Sequence, residues 1–282
     1  MKISLILATL HRTHEVQALL TSLTQQTYPH FEVIIIDQNS DERITQLIKS
    51  FDQLDILHLR SAIGLSLARN VGLSHASGEI VGFPDDDCTY PPMLLQSIVA
   101  FFQQGAYPLL TGKTIDPTSQ QIVAGSLHTT PTPLSCTQIH GSSTTLFIAT
   151  ATLGTLRFDE RFGLGAKYHA EEENELILRL LQQGVKGYYH PEINTVYHPP
   201  SDLDYHDTTR IAYRAMGLGA FIAKHLGSLC GVHYLIKYAL IRPLLGSLLY
   251  RLKGDPIKAR FYFAKFRGIW KGLLTYLKEE RS

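Results

Sequence analysis

Over the first hundred residues the chain alternates short, unbroken apolar runs with segments of helical period. The runs predict strands at residues 3–8, 31–37, 55–59 and 79–83. The periodic segments predict helices at residues 13–26, 41–51, 65–75 and 92–103. Runs such as Val33-Ile34-Ile35-Ile36 carry no polar position, so both strand faces must be covered. That pattern predicts an α/β domain with a mostly parallel, Rossmann-like sheet and crossover helices. Ligands of such sheets bind beyond the carboxyl ends of the strands. Thr9, Asp37 and the Asp85-Asp86-Asp87 run all fall at those ends and are expected to share one crevice.

From 111 to 150 the pattern weakens into Thr, Ser, Pro and Gly, with one strand expected near 144–149. A helix is expected at 170–184, then strands at 187–190 and 194–198. Three further helices are expected at about 207–225, 232–253 and 256–280. The net charge of +1 hides an asymmetry, because residues 205–282 hold 14 Lys and Arg against 4 Asp and Glu. The remainder is acidic. The expected division is therefore a domain at 1–204 and a basic, amphipathic helical extension at 205–282, with the boundary at 201–204 after Pro199-Pro200. Cys88, Cys136 and Cys230 form no C-x-x-C pair, which excludes a cysteine-based zinc site and makes a reducing compartment the default. The first apolar run is short and meets His11-Arg12 at once, so it reads as a strand and not as a secretion signal.

Two acidic clusters carry the candidate chemistry. Asp85, Asp86 and Asp87 are adjacent at a strand end. Desolvating them is costly without a cation, and hard divalent ions take oxygen ligands. Read alone, the triplet is equally a solvated turn. The second cluster, Glu171-Glu172-Glu173-Asn174-Glu175, opens a helix bearing Leu176, Ile177, Leu180 and Leu181. The spacing sets Glu173 above that apolar stripe, facing inward, and sets Glu172, Glu175 and Arg179 on the outer side. Acids in a first turn are stabilised by the helix dipole, which accounts for the other glutamates. An inward Glu173 is the better general base.

In order, the chain shows Thr9-Leu10-His11-Arg12, Asp37-Gln38-Asn39-Ser40-Asp41, Ala68-Arg69-Asn70-Val71-Gly72 and Phe83-Pro84-Asp85-Asp86-Asp87. Phe158-Asp159-Glu160 and Glu172-Glu173-Asn174-Glu175 with Arg179 follow. Over residues 1–200 this ordered set resembles the family 2 glycosyltransferases of GT-A fold. The resemblance implies transfer of a sugar from a nucleotide diphosphate donor, UDP by family frequency, to an acceptor hydroxyl. It implies that Asp37 binds the nucleotide base with Thr9 and Arg12 nearby, and that Arg69 and Asn70 lie on the donor side. Asp85 and Asp87 match the ends of the family's D-x-D motif, with Asp86 between them on the nucleotide side. Asp87 is the implied ligand of Mg2+ or Mn2+, and His198 matches a histidine that helps hold the metal. By itself, His198 beside Pro199 is an ordinary strand-end residue. Glu173 matches the catalytic base, although the family often has Asp there.

One base opposite the leaving group implies direct displacement with inversion. The Gln-x-x-Arg-Trp motif of processive synthases is missing, so one sugar per acceptor is expected. A nucleotidylyltransferase would need a glycine-rich loop after the first strand, and Thr9-Leu10-His11-Arg12-Thr13 has no glycine. A dehydrogenase would need G-x-G-x-x-G there. A non-catalytic nucleotide-sugar-binding protein of the same fold is disfavoured by retention of both acid clusters.

In the extension, Lys237, Arg242 and Pro243 break the apolar stretch, so no span of about 20 apolar residues exists. Basic residues among Leu, Phe and Tyr suit helices lying in an anionic leaflet. A basic bundle packed on a protein surface would look similar. The membrane reading is preferred because a lipid-linked glycan acceptor would give it a purpose, and no nucleic-acid-binding module is recognisable. The expected place is cytoplasmic, peripheral to the inner face of the cell membrane, in cell-surface polysaccharide assembly.

Overall fold

Alternate side chains of the first strands enter two separate apolar layers, as the unbroken runs require. The structure is a computed structural model that describes residues 1–124, 129–200 and 205–281. Along the chain, β1 (Ile3–Thr9), α1 (His14–Thr24), β2 (Phe31–Asp37), α2 (Arg43–Ile48), β3 (Ile56–Arg60), α3 (Leu65–His75), β4 (Ile80–Gly82) and α4 (Leu94–Gln103) follow in strict alternation. Ile3, Leu5, Leu7, Val33 and Ile35 pack with α1 and α4 on one face. Ile6, Ile34 and Ile36 pack on the other with Ala68 and Leu73 of α3. Gly72 allows this second layer to close, because a Cβ there would lie 2.3 Å from Ile6 Cγ2.

Short strands follow: β5 (Leu109–Thr111), β6 (Lys113–Ile115), β7 (Ile122–Ala124), β8 (Thr132–Pro133) and β9 (Phe147–Ala149). After α5 (Thr150–Leu153) come α6 (Glu172–Gln182), β10 (Gly187–Tyr189) and β11 (Thr195–Tyr197). The main sheet has the order β3-β2-β1-β4-β9-β5-β10-β8. β3, β2, β1 and β4 run parallel, as do β5 and β10, while β9 and β8 are antiparallel to their neighbours. A smaller sheet, β11-β6-β7, lies beside it. The expected strand at 144–149 is half realised. Ser143–Thr145 forms a 3-10 turn held by reciprocal capping between Ser142 and Thr145, and only Phe147–Ala149 is extended. Strands of two or three residues are too short to show a period, so most of this region was invisible in the pattern.

The backbone divides into two compact units. One comprises Met1–Phe158 and the residues from Leu176 to 200; the other comprises Asp159–Glu175 and the described C-terminal residues. The expected boundary at 201–204 lies outside the described residues. Residues 159–175, read from sequence as part of the first domain, group with the C-terminal helices. Their charges explain it: Lys224 Nζ donates to Asp159 at 2.7 Å and approaches Glu175 at 2.6 Å. Arg161 binds Asp159, Glu280 and the Tyr276 hydroxyl.

The C-terminal helices are α7 (Thr208–His225), α8 (Leu229–Tyr234), α9 (Arg242–Leu252) and α10 (Pro256–Glu279). Asp207 and Asp255 cap α7 and α10 through the Arg210 and Lys258 amides. α7 and α10 approach closely at Gly268 and Gly272, where a Cβ would lie 2.1 Å from a carbonyl oxygen of α7. The helix expected at 232–253 is continuous but not regular, since Leu235–Ile241 is a π-helical segment. Pro243 follows at once, and its missing N–H and its ring disturb the hydrogen-bond ladder one turn earlier. Among the described residues no helix is long and apolar enough to cross a membrane.

Candidate active site

The acid triplet sits just beyond the carboxyl end of β4, beside the ends of β1 and β2. Phe83 anchors it, fully buried and edge-on to Phe158 at 5.1 Å. The Cys88 amide donates to the Asp85 carbonyl, closing a tight turn that turns the three carboxylates to different partners. Asp85 receives Arg69 Nη2 at 3.0 Å and the Ser143 hydroxyl at 3.3 Å. Arg69 is itself 1% exposed and lies over the rings of Phe83 and Phe158. Asp86 receives the Thr9 hydroxyl at 2.8 Å and Arg12 Nη1 at 3.1 Å. Asp87 pairs with Arg12 and with His198 Nε2, the latter at 2.9 Å.

These neighbours separate the acids electrostatically. Burial pushes the Asp86 carboxyl up to about 6, against the pull of Arg12 and Thr9. Burial works the same way on Asp87, but hydrogen bonds from His198 and Arg12 outweigh it and hold that carboxyl at about 2. His198 responds in kind: burial lowers its affinity for a proton, and Asp87 raises it further than burial lowers it. Cys88, free and buried next to the acids, has its thiol pushed well up, chiefly by burial.

Chain topology explains how residues so far apart in sequence meet. At the end of β1, His11 takes a left-handed backbone (φ 62°), held by its amide on Asn39 Oδ1 at 2.7 Å. This turn carries Arg12 to Asp86 and Asp87. His198 is placed by a two-way bridge between Thr89 and Tyr197, whose amides and carbonyls pair at 2.8 and 3.0 Å. The bridge ties the loop after the triplet to β11. It brings a residue 111 positions downstream onto Asp87.

Asp37 ends β2 as expected, but its side chain is enclosed. Asn39 donates to it through both its backbone and side-chain nitrogens, and His58 Nε2 lies 3.1 Å away. Arg60 stands 4.0 Å off and binds the Asn39 and Asp41 carbonyls. Asn70 uses its amide oxygen and nitrogen on the backbone of Phe158, clamping α3 to that segment. Thr9, Arg12, Asp85, Asp86, Asp87, Arg69 and His198 thus form one cluster; Asp37 lies at its β2 side, and Asn70 is hydrogen-bonded to the backbone of Phe158. Asn39, His58 and Ser143 were missed in the sequence. His58 and Ser143 lie where no period or motif marks them, and only pairing across the sheet brings them in.

In the second unit, the first turn of α6 corrects the face assignment. Glu172 and Glu175, expected outside, are 6% and 0% exposed, whereas Glu173 is half-buried. The physical reason is Lys224, whose charge makes burial of Glu175 tolerable, with His225 Nε2 3.7 Å from the same oxygen. Glu171 begins the turn in left-handed backbone (φ 73°) and accepts from Asn174 Nδ2.

Among the described residues no three His, Cys, Asp or Glu side chains gather as a metal cage. Asp87 and His198 nevertheless form a touching carboxylate–imidazole pair at the edge of the cluster. That donor set fits an ion that completes its shell with substrate phosphates and water.

Comparison with known proteins adds the family. Residues 4–139 match the family described as glycosyl transferase family 2. An uncharacterized glycosyltransferase of Haemophilus influenzae is 34% identical over 102 residues, 36% of this chain and 35% of the relative. The Escherichia coli UDP-Glc:alpha-D-GlcNAc-diphosphoundecaprenol beta-1,3-glucosyltransferase WfgD is 26% identical over 122 residues, 40% of this chain and 48% of that protein. The chain spans about a third or less of the length of the first curated relatives it matches. Among solved structures, the mannosyltransferase PcManGT of Pyrobaculum calidifontis, in complex with GDP-Man and Mn2+, superposes with a TM-score of 0.65. It is 16% identical and covers 95% of this chain and 87% of its own. The matched strands, the acid triplet at their carboxyl ends and the shared fold agree, and the chain carries a family 2 glycosyltransferase domain of the GT-A fold, the match resting on residues 4–139.

Proposed function

We propose that this domain is an inverting, metal-dependent glycosyltransferase that moves one sugar from a UDP-sugar to a hydroxyl of a lipid-linked glycan. The observation that carries the reading is the cluster at the strand ends. Three carboxylates share one turn, with Arg12, Arg69 and His198 set against them within hydrogen-bonding distance. A site with this balance of charge suits a diphosphate bound together with a cation. The UDP donor and lipid-linked acceptor named for WfgD, and the Mn2+ named for PcManGT, support the same chemistry by analogy.

Asp87 and His198 would hold a Mg2+ or Mn2+ ion, which supplies Lewis-acid neutralisation of charge on the leaving diphosphate. Asp85, held by Arg69, and Asp86, held by Thr9, stand at the nucleotide side. Arg12 is placed to exchange its carboxylate partners for phosphate oxygens. Asp37 orders the loop at the base end through Asn39 and His58. Glu173 is the base. Its partial exposure, in contrast to buried Glu172 and Lys224-neutralised Glu175, leaves it able to meet an acceptor. It accepts the hydroxyl proton while the new C–O bond forms and the bond from the anomeric carbon to the diphosphate oxygen breaks. An acceptor of that class would fit a role in cell-surface polysaccharide assembly, at the cytoplasmic face of the membrane.

The test is a thermal-shift screen of nucleotide sugars with Mn2+, followed by transfer assays with the stabilising donor. Asp87→Asn is expected to lose metal-dependent transfer. Glu173→Gln is expected to keep donor binding and to lose about 100-fold or more in kcat. Near-full turnover in either variant would remove the role assigned to that residue.

A further inference from the structure

The helical arm from α8 to α9 carries a row of apolar side chains that the second unit leaves uncovered. Val232, Ile236, Ile241, Leu245, Leu249 and Leu252 are all exposed, from 40% to 77%. Leu229, at the start of the arm, is 89% exposed, and Leu248 is 55% exposed. The steps between the six are 4, 5, 4, 4 and 3 residues. The single step of five falls inside the π-helical segment, where each turn takes an extra residue. The widened turn therefore keeps Ile236 and Ile241 in line, and the row stays on one face for about 30 Å. The opposite face is occupied: Tyr234, Ala239 and Pro243 are buried, and Gly246 lies against the ring of Tyr262.

The charge of the arm is one-sided. Residues 229–253 hold four Lys and Arg and no Asp or Glu. Lys237 and Arg242 both lie over the ring of Tyr238, at 5.1 and 5.2 Å, and Lys253 lies over Tyr250. Long basic side chains held along aromatic rings at the border of an apolar row can keep their charges at headgroup level while the leucines sink.

We propose that this row is the surface by which the protein docks on an anionic lipid bilayer, with α8 and α9 lying in the interface plane. The leucines enter the acyl boundary, and Lys237, Arg242, Arg251 and Lys253 meet lipid phosphates. This deepens the reading of a lipid-linked acceptor and rests on it for its purpose, but it is measured without donor or acceptor.

Full-length protein is sedimented with vesicles of phosphatidylcholine containing phosphatidylglycerol, and with vesicles of phosphatidylcholine alone. Wild type is expected to bind the anionic vesicles, less at high salt, and the neutral ones more weakly. Leu245→Gln/Leu248→Gln/Leu249→Gln is expected to weaken binding by at least about tenfold. Arg251→Gln/Lys253→Gln is expected to weaken it by roughly tenfold at low salt and to flatten the salt dependence. Because these residues are exposed, circular dichroism and the unfolding midpoint should stay at wild-type values. Wild-type sedimentation by the leucine variant overturns the proposal. So does a wild type that ignores vesicles but forms a dimer that the leucine variant loses, which would assign the row to a second copy. Vesicle binding that depends on the leucines, with no transfer to any lipid-linked acceptor in detergent, supports the docking surface while the acceptor reading fails.

Discussion

Lys224→Met removes one cation from between two carboxylates, and its effect can be worked from the geometry. Lys224 Nζ lies 2.7 Å from Asp159 and 2.6 Å from Glu175, whose side chains are 13% and 0% exposed. Breaking a buried pair by removing one partner destabilises by about 3–5 kcal/mol, because the remaining charge is left uncompensated. Arg161 still binds Asp159, and His225 lies 3.7 Å from Glu175, so the lower end of that range applies. At about 2–4 °C per kcal/mol for a chain of this class, the midpoint of thermal unfolding should fall by roughly 10 °C at neutral pH.

The pH dependence gives the sharper check. Burial raises the affinity of Asp159 for a proton, but Arg161 and Lys224 outweigh it and hold the carboxyl well below its ordinary range. An acid with a lowered folded value contributes stability above its unfolded value, near 4, and loses it as pH falls further. Lys224→Met removes part of that contribution, so the gap between variant and wild type should be widest above about pH 5 and should close below about pH 4. Glu175→Gln added to Lys224→Met should recover part of the loss, since it removes the buried charge. Circular dichroism melts at a series of pH values measure all three. A gap independent of pH, or one that widens in acid, would refute the electrostatic account and leave only lost packing. With Glu173, two residues from Glu175 on α6, as the base proposed above, kcat at permissive temperature should also fall while donor affinity holds.

Gly72→Ala should destabilise the first unit by about 1–3 kcal/mol, read from the urea midpoint, because its Cβ would lie 2.3 Å from Ile6 Cγ2 in a filled core. Glu32→Gln should cost about 1–2 kcal/mol at neutral pH after allowance for solvent around Lys2. Glu32 is held at about 2 although burial pushes it up, because Lys2, Ser4 and Ser77 all donate to it. The penalty should therefore vanish as pH falls from about 4.5 towards 2, and a constant penalty would count against this assignment. Asp37→Asn should loosen the loop at Asn39 and weaken nucleotide binding about tenfold by calorimetry; unchanged affinity would show that the loop orders without the carboxylate.

The cluster at the strand ends was readable in part because its residues lie on local signals. Asp85, Asp86 and Asp87 follow an apolar run directly, and Thr9 and Asp37 end two others. Parallel strands buried on both faces impose unbroken apolar runs, and loops at their carboxyl ends converge whatever the details. What depends on pairing between distant segments was not readable. The side-chain order around α6 is the clearest case. A helical period reports which residues share a face; it does not report that Lys224, 49 residues on from Glu175, supplies the charge that lets that glutamate be buried.

The sequence by itself determined the first four strands and helices of the α/β core to within a few residues, the acidic turn and the basic C-terminal helices. Each follows from periodicity, composition or adjacency, which are properties of a short stretch of chain. Tertiary structure alone decided that His198 lands on Asp87 through the Thr89–Tyr197 bridge, and that Asp37 is enclosed by Asn39 and His58. It also decided that a π-helical turn keeps the exposed row of the C-terminal arm on one face. Burial, charge compensation and register are properties of neighbours, and neighbours exist only once the chain has folded.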